Sequence, residues 1–120
     1  MALTLKIFNG EIRSTFNAER AYFDNTHDLM SDVWAYERVK GEERHGHATP
    51  KPVAMMERII KSSAPKDSLV VEPFGGSGST LMACEKTQRR CYTMELDPRY
   101  CDVIVKRWEV FSGKKAILKK

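Results

Sequence analysis

Glu72-Pro73-Phe74-Gly75-Gly76-Ser77-Gly78-Ser79-Thr80 decides the fold of this chain. The apolar run Ser68-Leu69-Val70-Val71 leads into the acid, and helix-forming residues follow the glycines. That order predicts a strand, a tight turn and then a helix. In open α/β sheets ligands gather where strands end and helix N-termini present free backbone N–H groups. Three common glycine motifs fail here. A P-loop needs a lysine after its last glycine, and none lies between Ser77 and Glu85. The dinucleotide fingerprint is met at Gly76 and Gly78 but has Leu81 in the third glycine position. The nucleophile elbow is met at Gly75 and Ser77 but has Ser79 in place of its second glycine. What remains is an acid followed by Pro-Phe-x-Gly-x-Gly, a turn suited to a nucleoside without a pyrophosphate. A glycine-rich connection with no ligand is the alternative.

A second acid extends the pattern. Arg90-Cys91-Tyr92-Thr93-Met94 predicts a second strand that ends at Glu95, 23 residues after Glu72. This is close to the ~20-residue spacing at which a ribose-binding carboxylate follows the first turn of a βαβ unit. Upstream, His47-Ala48-Thr49-Pro50-Lys51-Pro52 opens a helical stretch from Val53 to Lys61. Pro52 suits the first helical position, and the helix should stop near Ser62-Ser63-Ala64, before Pro65. Thr49 and Lys51 would then flank a helix N-terminus, a place for an anion such as an α-carboxylate. A proline-stiffened loop leading into an amphipathic helix explains the same residues without a ligand.

Taken in order, His-Ala-Thr-Pro-Lys-Pro, Glu-Pro-Phe-Gly-Gly-Ser-Gly-Ser-Thr and Tyr-Thr-Met-Glu-Leu-Asp-Pro-Arg-Tyr resemble consecutive motifs of the permuted (β-class) amino-group DNA methyltransferases. Those enzymes methylate adenine N6 or cytosine N4 with S-adenosylmethionine. The resemblance covers roughly Asp32 to Ala116, with Asp32-Val33-Trp34 similar to the segment before the lysine-proline motif. It implies double-stranded DNA as partner and a bacterial or phage-infected cytoplasm, with adenine the favoured base. It also implies roles. Phe74, Gly75, Gly76, Ser77 and Gly78 shape the cofactor turn, and Glu72 lies near the methionine portion. Thr49 and Lys51 hold the cofactor carboxylate, Glu95 the ribose, and Leu96 packs on adenine.

The chain departs from the family at the catalytic signature, Asp/Asn/Ser-Pro-Pro-aromatic, which holds the target amino group. No Pro-Pro pair occurs in the sequence. Thr49-Pro50-Lys51-Pro52 is already assigned, and Asp97-Pro98-Arg99-Tyr100 follows the second strand. The resemblance therefore implies the cofactor-binding half of a methyltransferase, without a catalytic residue and inactive alone. A non-catalytic module that binds cofactor or DNA and regulates or competes with a complete enzyme is the other class of function. A generic nucleotide-binding domain is disfavoured by the missing lysine and third glycine.

The expected fold is α/β: a partial Rossmann-like methyltransferase fold with an incomplete parallel sheet flanked by helices and an N-terminal hairpin. At 120 residues the chain can bury a modest core. Only two strands of the parallel sheet are placed, so at least one edge should be open and invite pairing. A homodimer, a complementary catalytic chain or a fragment of a longer coding sequence follows. Residues 47–120 form the half-domain. Residues 1–46 precede it, with a hairpin at Leu5-Lys6-Ile7-Phe8, Asn9-Gly10 and Glu11-Ile12-Arg13. Residues 41–46 read as a mobile polar loop, and all of these segments form one structural unit. Leu81 and Cys84 should face the sheet. Asp97 caps a last helix, Pro98 starts it, Tyr100, Ile104, Trp108 and Phe111 form its apolar stripe, and Gly113 stops it.

Charge is a weak guide. Twenty basic against sixteen acidic residues give +4, too mild to name nucleic acid as partner without the resemblance. His45 and His47 lack a third nearby ligand, so no metal is expected. Cys84, Cys91 and Cys101 have no framework spacing and read as reduced thiols. No signal peptide or membrane-spanning run is visible.

Overall fold

A computed structural model describes residues 22–24, 26, 33–41 and 50–119. The expected hairpin at residues 5–13, His45, His47 and Thr49 lie outside the described residues. The elements run α1 (Val53–Ser63), β1 (Leu69–Glu72), α2 (Ser79–Lys86), β2 (Arg90–Thr93) and α3 (Pro98–Ser112). β1 and β2 are parallel, with Leu69 opposite Arg90 and Glu72 opposite Thr93. The ladder continues past both strands: Met94 N donates to Glu72 O (2.9 Å) and Gly75 N donates to Met94 O (2.7 Å).

Each helix boundary has a local cause. Pro52 stands just before α1 and is its N-cap, one position earlier than expected, without a side-chain cap. α1 ends at Ser63, its following Ala64 N–H satisfying the Ile60 carbonyl before Pro65 bars continuation. α2 starts from Gly78 in the left-handed region (φ 82°). Asp97 caps α3 by accepting from Arg99 N, Pro98 occupies the first turn, and Gly113 (φ 69°) ends the helix.

The core is small and lies on one side of the sheet. Ile60 of α1 packs with Ala83 and Cys84 of α2, flanked by Val53, Met56, Val70 and Cys91. The apolar positions Val53, Met56 and Ile60 recur at helical spacing, which gives α1 its inward face. α2 is central: it packs on α1, β2 and α3. Met82, unassigned from sequence, is buried beside Ala83 and Cys84, and Leu81 is half-buried in a groove with Thr93, Ile104 and Trp108. On α3 only Ile104 is fully buried; Tyr100 and Trp108 are half-buried, and Phe111 is exposed. The stripe therefore fades toward the C-terminal end of α3, where among the described residues Phe111 meets only a groove with Val53 and Met82.

The junction between α2 and β2 is fixed by polar contacts. Arg89 donates from Nε (3.2 Å) and Nη2 (2.7 Å) to Ala64 O, which ties the end of α1 to the start of β2. Asp67 N donates to Gln88 O (2.9 Å), and both residues have positive φ (63° and 58°). All three cysteines are free thiols. A hydrogen bond shared with Cys84, reinforced by burial, pushes the Cys91 thiol up, which keeps it protonated.

The opposite face of the sheet is bare. Val71 and Tyr92 lie side by side in register and are 50% and 55% exposed, with Leu69 beside them also exposed. No described helix packs there. Parallel sheets are ordinarily covered on both faces, so among the described residues this face lacks its usual cover.

Candidate functional site

The turn after β1 is held by its own acid. Glu72 accepts from Phe74 N through Oε1 (2.9 Å) and from Thr80 Oγ1 through Oε2 (2.9 Å). The carboxylate thus spans the turn from its start to the first helical turn of α2. Gly78 N closes the turn on Gly75 O (2.8 Å). Arg107 of α3 donates from Nη1 to Ser77 O (2.9 Å), and Ser77 is buried.

Two of the glycines are required by packing. A Cβ on Gly75 would stand 2.6 Å from Thr93 Oγ1 and 3.0 Å from Ile104 Cδ1. A Cβ on Gly78 would meet Ile104 Cγ1 at 3.2 Å, in a conformation that side chains rarely adopt. Gly78 therefore lets α3 approach α2, a packing role beside its expected part in shaping the turn. Gly76 (φ 54°) needs its freedom for the turn itself.

Glu95 reaches back across the site. Its Oε2 accepts from Gly76 N (2.7 Å) and its Oε1 from Asp97 N (2.9 Å). The Asp97 amide above all, and then those of Gly76 and Leu96, hold this carboxyl below the usual carboxylate range against the opposing effect of burial. Glu95 is thus an anion at pH 7 that latches the turn after β2 to the turn after β1. Leu96 beside it is 98% exposed and Phe74 86% exposed, so two large apolar side chains project at the same end of the sheet.

The third segment docks from α1. Ser79 Oγ donates to Lys51 O (2.7 Å), and Lys51 itself is exposed. Lys51, Glu72, Phe74, Gly75, Gly76, Ser77 and Glu95 all line one open depression of about 560 Å³. Gly78 and Leu96 do not line it. Met55, Met56 and Ile59 of α1 form its apolar wall, a contribution that sequence reasoning missed. Met55 and Ile59 stand four apart, one helical face away from the core face, and that spacing is the signal that could have found them.

Other grooves have comparable volumes, about 480, 650 and 530 Å³, so size does not select the site. Chemistry does. One cation, two carboxylates, a glycine turn and a sulfur-rich apolar wall suit a ligand that joins an amino acid to a nucleoside. The volume lies within the ~300–1,000 Å³ of small-molecule sites.

With that geometry in place, comparison with known proteins is decisive. The sequence model of the N6/N4 DNA methylases matches residues 8–106. The chain belongs to the DNA methylase family. Similar proteins include the type II methyltransferase M.ScaI of Streptomyces caespitosus, 34% identical over 66% of this chain and 28% of that protein. M.HinfI of Haemophilus influenzae is 31% identical over 78% of this chain and 28% of its own length. The DNA adenine methyltransferase YhdJ of Escherichia coli K12 is 28% identical over 88% of this chain and 40% of its own length. Among solved structures, the M1.HpyAVI–SAM complex matches with a TM-score of 0.56 and 28% identity, over 73% of this chain and 44% of that one. The partial methyltransferase fold implied by the resemblance is therefore the observed one, and this family member spans less than half the length of each of these relatives. Among the described residues no helix is long and apolar enough to cross a membrane.

Proposed function

We propose that this chain is the S-adenosylmethionine-binding part of a DNA methyltransferase that methylates adenine N6, with cytosine N4 as the other target. The observation that carries the reading is the convergence of Lys51, Glu72 and Glu95, from three separate segments, on one depression. When bound, the cofactor supplies a methyl group made electrophilic by its sulfonium. Lys51 is the cation for its carboxylate, with Thr49 two residues before it in sequence. Glu72 offers negative charge for the ammonium end. Glu95 keeps acceptor capacity for ribose hydroxyls, since each of its oxygens carries one amide in this structure. Phe74, Leu96 and the Met55–Ile59 wall offer apolar surface for the adenine ring.

Methyl transfer to a base needs the amino group held in line with the methyl, which is the work of the Pro-Pro signature missing from this sequence. The bare face at Val71 and Tyr92 is where a complementary catalytic segment, or a second copy of the chain, would cover the sheet.

Calorimetric titration tests the cofactor: S-adenosylmethionine should bind, and ATP and NAD should not. Binding of either nucleotide without S-adenosylmethionine overturns the assignment. Methyl transfer to duplex DNA should be absent from the isolated chain and appear when a chain bearing Asp-Pro-Pro-Tyr is added. Cofactor binding with no transfer in the mixture would favour the regulatory module instead.

A further inference from the structure

The first turn of α2 carries two hydroxyls, and neither caps its own helix: Gly78, the N-cap, makes no side-chain bond. Thr80 is spent on Glu72, and Ser79, 6% exposed, is spent on Lys51 O across 28 residues of sequence. The segment that Ser79 grips has an unusual need of it. Pro50 and Pro52 have no N–H, so Pro50-Lys51-Pro52 offers one amide donor among three residues. Such a segment can be fixed mainly through its carbonyls. Pro52 O accepts from Met55 N and Met56 N inside α1, which orients the helix start but does not reach the glycine turn. The Ser79 bond does reach it. Lys51 and Ser79 both line the depression, so this contact ties the backbone at the cationic end of the site directly to the first turn after the glycines.

We infer that Ser79 is a positioning residue for the amino-acid end of the ligand, acting through the Lys51 peptide. The inference rests on the cofactor reading above and adds a residue that touches neither charge directly. It makes a selective demand: loosening Ser79 should harm ligands that carry an amino-acid end and spare those that lack one.

The experiment compares S-adenosylhomocysteine with 5′-methylthioadenosine, which has the nucleoside and sulfur but no amino acid, by calorimetry on the full chain. Ser79→Ala should weaken S-adenosylhomocysteine about 2- to 12-fold, the range for one neutral hydrogen bond, and leave methylthioadenosine within about twofold. Ser79→Thr, which keeps the donor, should restore the first affinity. Ser79→Cys, similar in size and a weaker donor, carries the same comparison if the alanine variant does not fold. Equal losses for both ligands, or no loss for either, overturn the positioning role. A wild-type chain that binds the two ligands equally also overturns it while leaving a nucleoside site. A wild-type chain that binds neither removes the cofactor reading, and the inference falls with it.

Discussion

The two faces of the β1–β2 sheet differ in kind although the same strands make both. Val70 and Cys91 point into a helical layer where Ile60, Ala83 and Cys84 are fully buried. Val71 and Tyr92, one residue further along each strand, point into solvent. Strand alternation makes this a sharp test, because neighbours share backbone, register and sheet and differ only in what lies above them. The covered face behaves as the interior of a finished domain. The bare face carries apolar side chains that no described helix covers, and the helices that wall the candidate site lie on the covered side.

The largest expected effect lies in the covered layer. Ile60→Ala should destabilise the chain by about 2–5 kcal/mol in urea unfolding, as for other buried large-to-small changes. Val71→Ala on the bare face should stay within about 0.5 kcal/mol, the usual bound for a surface change. Equal losses would mean that the bare face is packed in solution. Next comes the hinge between the faces and the site. Gly75→Ala should cost about 1–3 kcal/mol through its clash with Thr93 and Ile104, lowering the thermal midpoint. Gly78→Ala should do the same by strain against Ile104, and the folded fraction should keep its cofactor affinity. Loss of affinity at unchanged stability would return Gly78 to the ligand side.

Glu95→Ala should weaken S-adenosylmethionine by about 1–3 kcal/mol, the range for bonds to a charged group. The pH dependence has a definite sign. The folded Glu95 carboxyl lies below its ordinary value, so its contribution is present above the unfolded glutamate pKa of about 4.3 and is lost as pH falls through the lower folded value. Cofactor affinity followed from pH 7 downward should therefore hold through the ordinary glutamate pKa of about 4.3 and decline only below it, and the decline should vanish in Glu95→Gln. The smallest effect on stability, Val71→Ser with Tyr92→Ser, should have the clearest effect on association. Light scattering should find the wild-type chain above monomer mass and the double variant monomeric; a strictly monomeric wild type would remove self-pairing through this face.

The elements and the ends of the helices were legible because their causes are local: Gly113 and Asp97 act within one turn, and Pro65 stops α1 through its own ring. The charged residues of the site were legible for a similar reason, since a strand end places Glu72 and Glu95 wherever the sheet goes. Three kinds of fact were hidden. The Met55–Ile59 wall depends on which side of α1 meets the turn, and both sides are apolar. The Gly75 requirement depends on Thr93 and Ile104, brought to it from another strand and helix. Phe111 completes a periodic stripe, yet periodicity says nothing about whether a neighbouring element reaches far enough to cover it.

The latch between Glu95 and Gly76 also turns one amide into a reporter. Gly76 N–H is held by a carboxylate rather than by the strand ladder, so its exchange with solvent deuterium tracks the opening of that single contact and not the unfolding of the sheet. A ribose arriving at the free lone pairs of Glu95 would steady the carboxylate and slow the exchange at this one position.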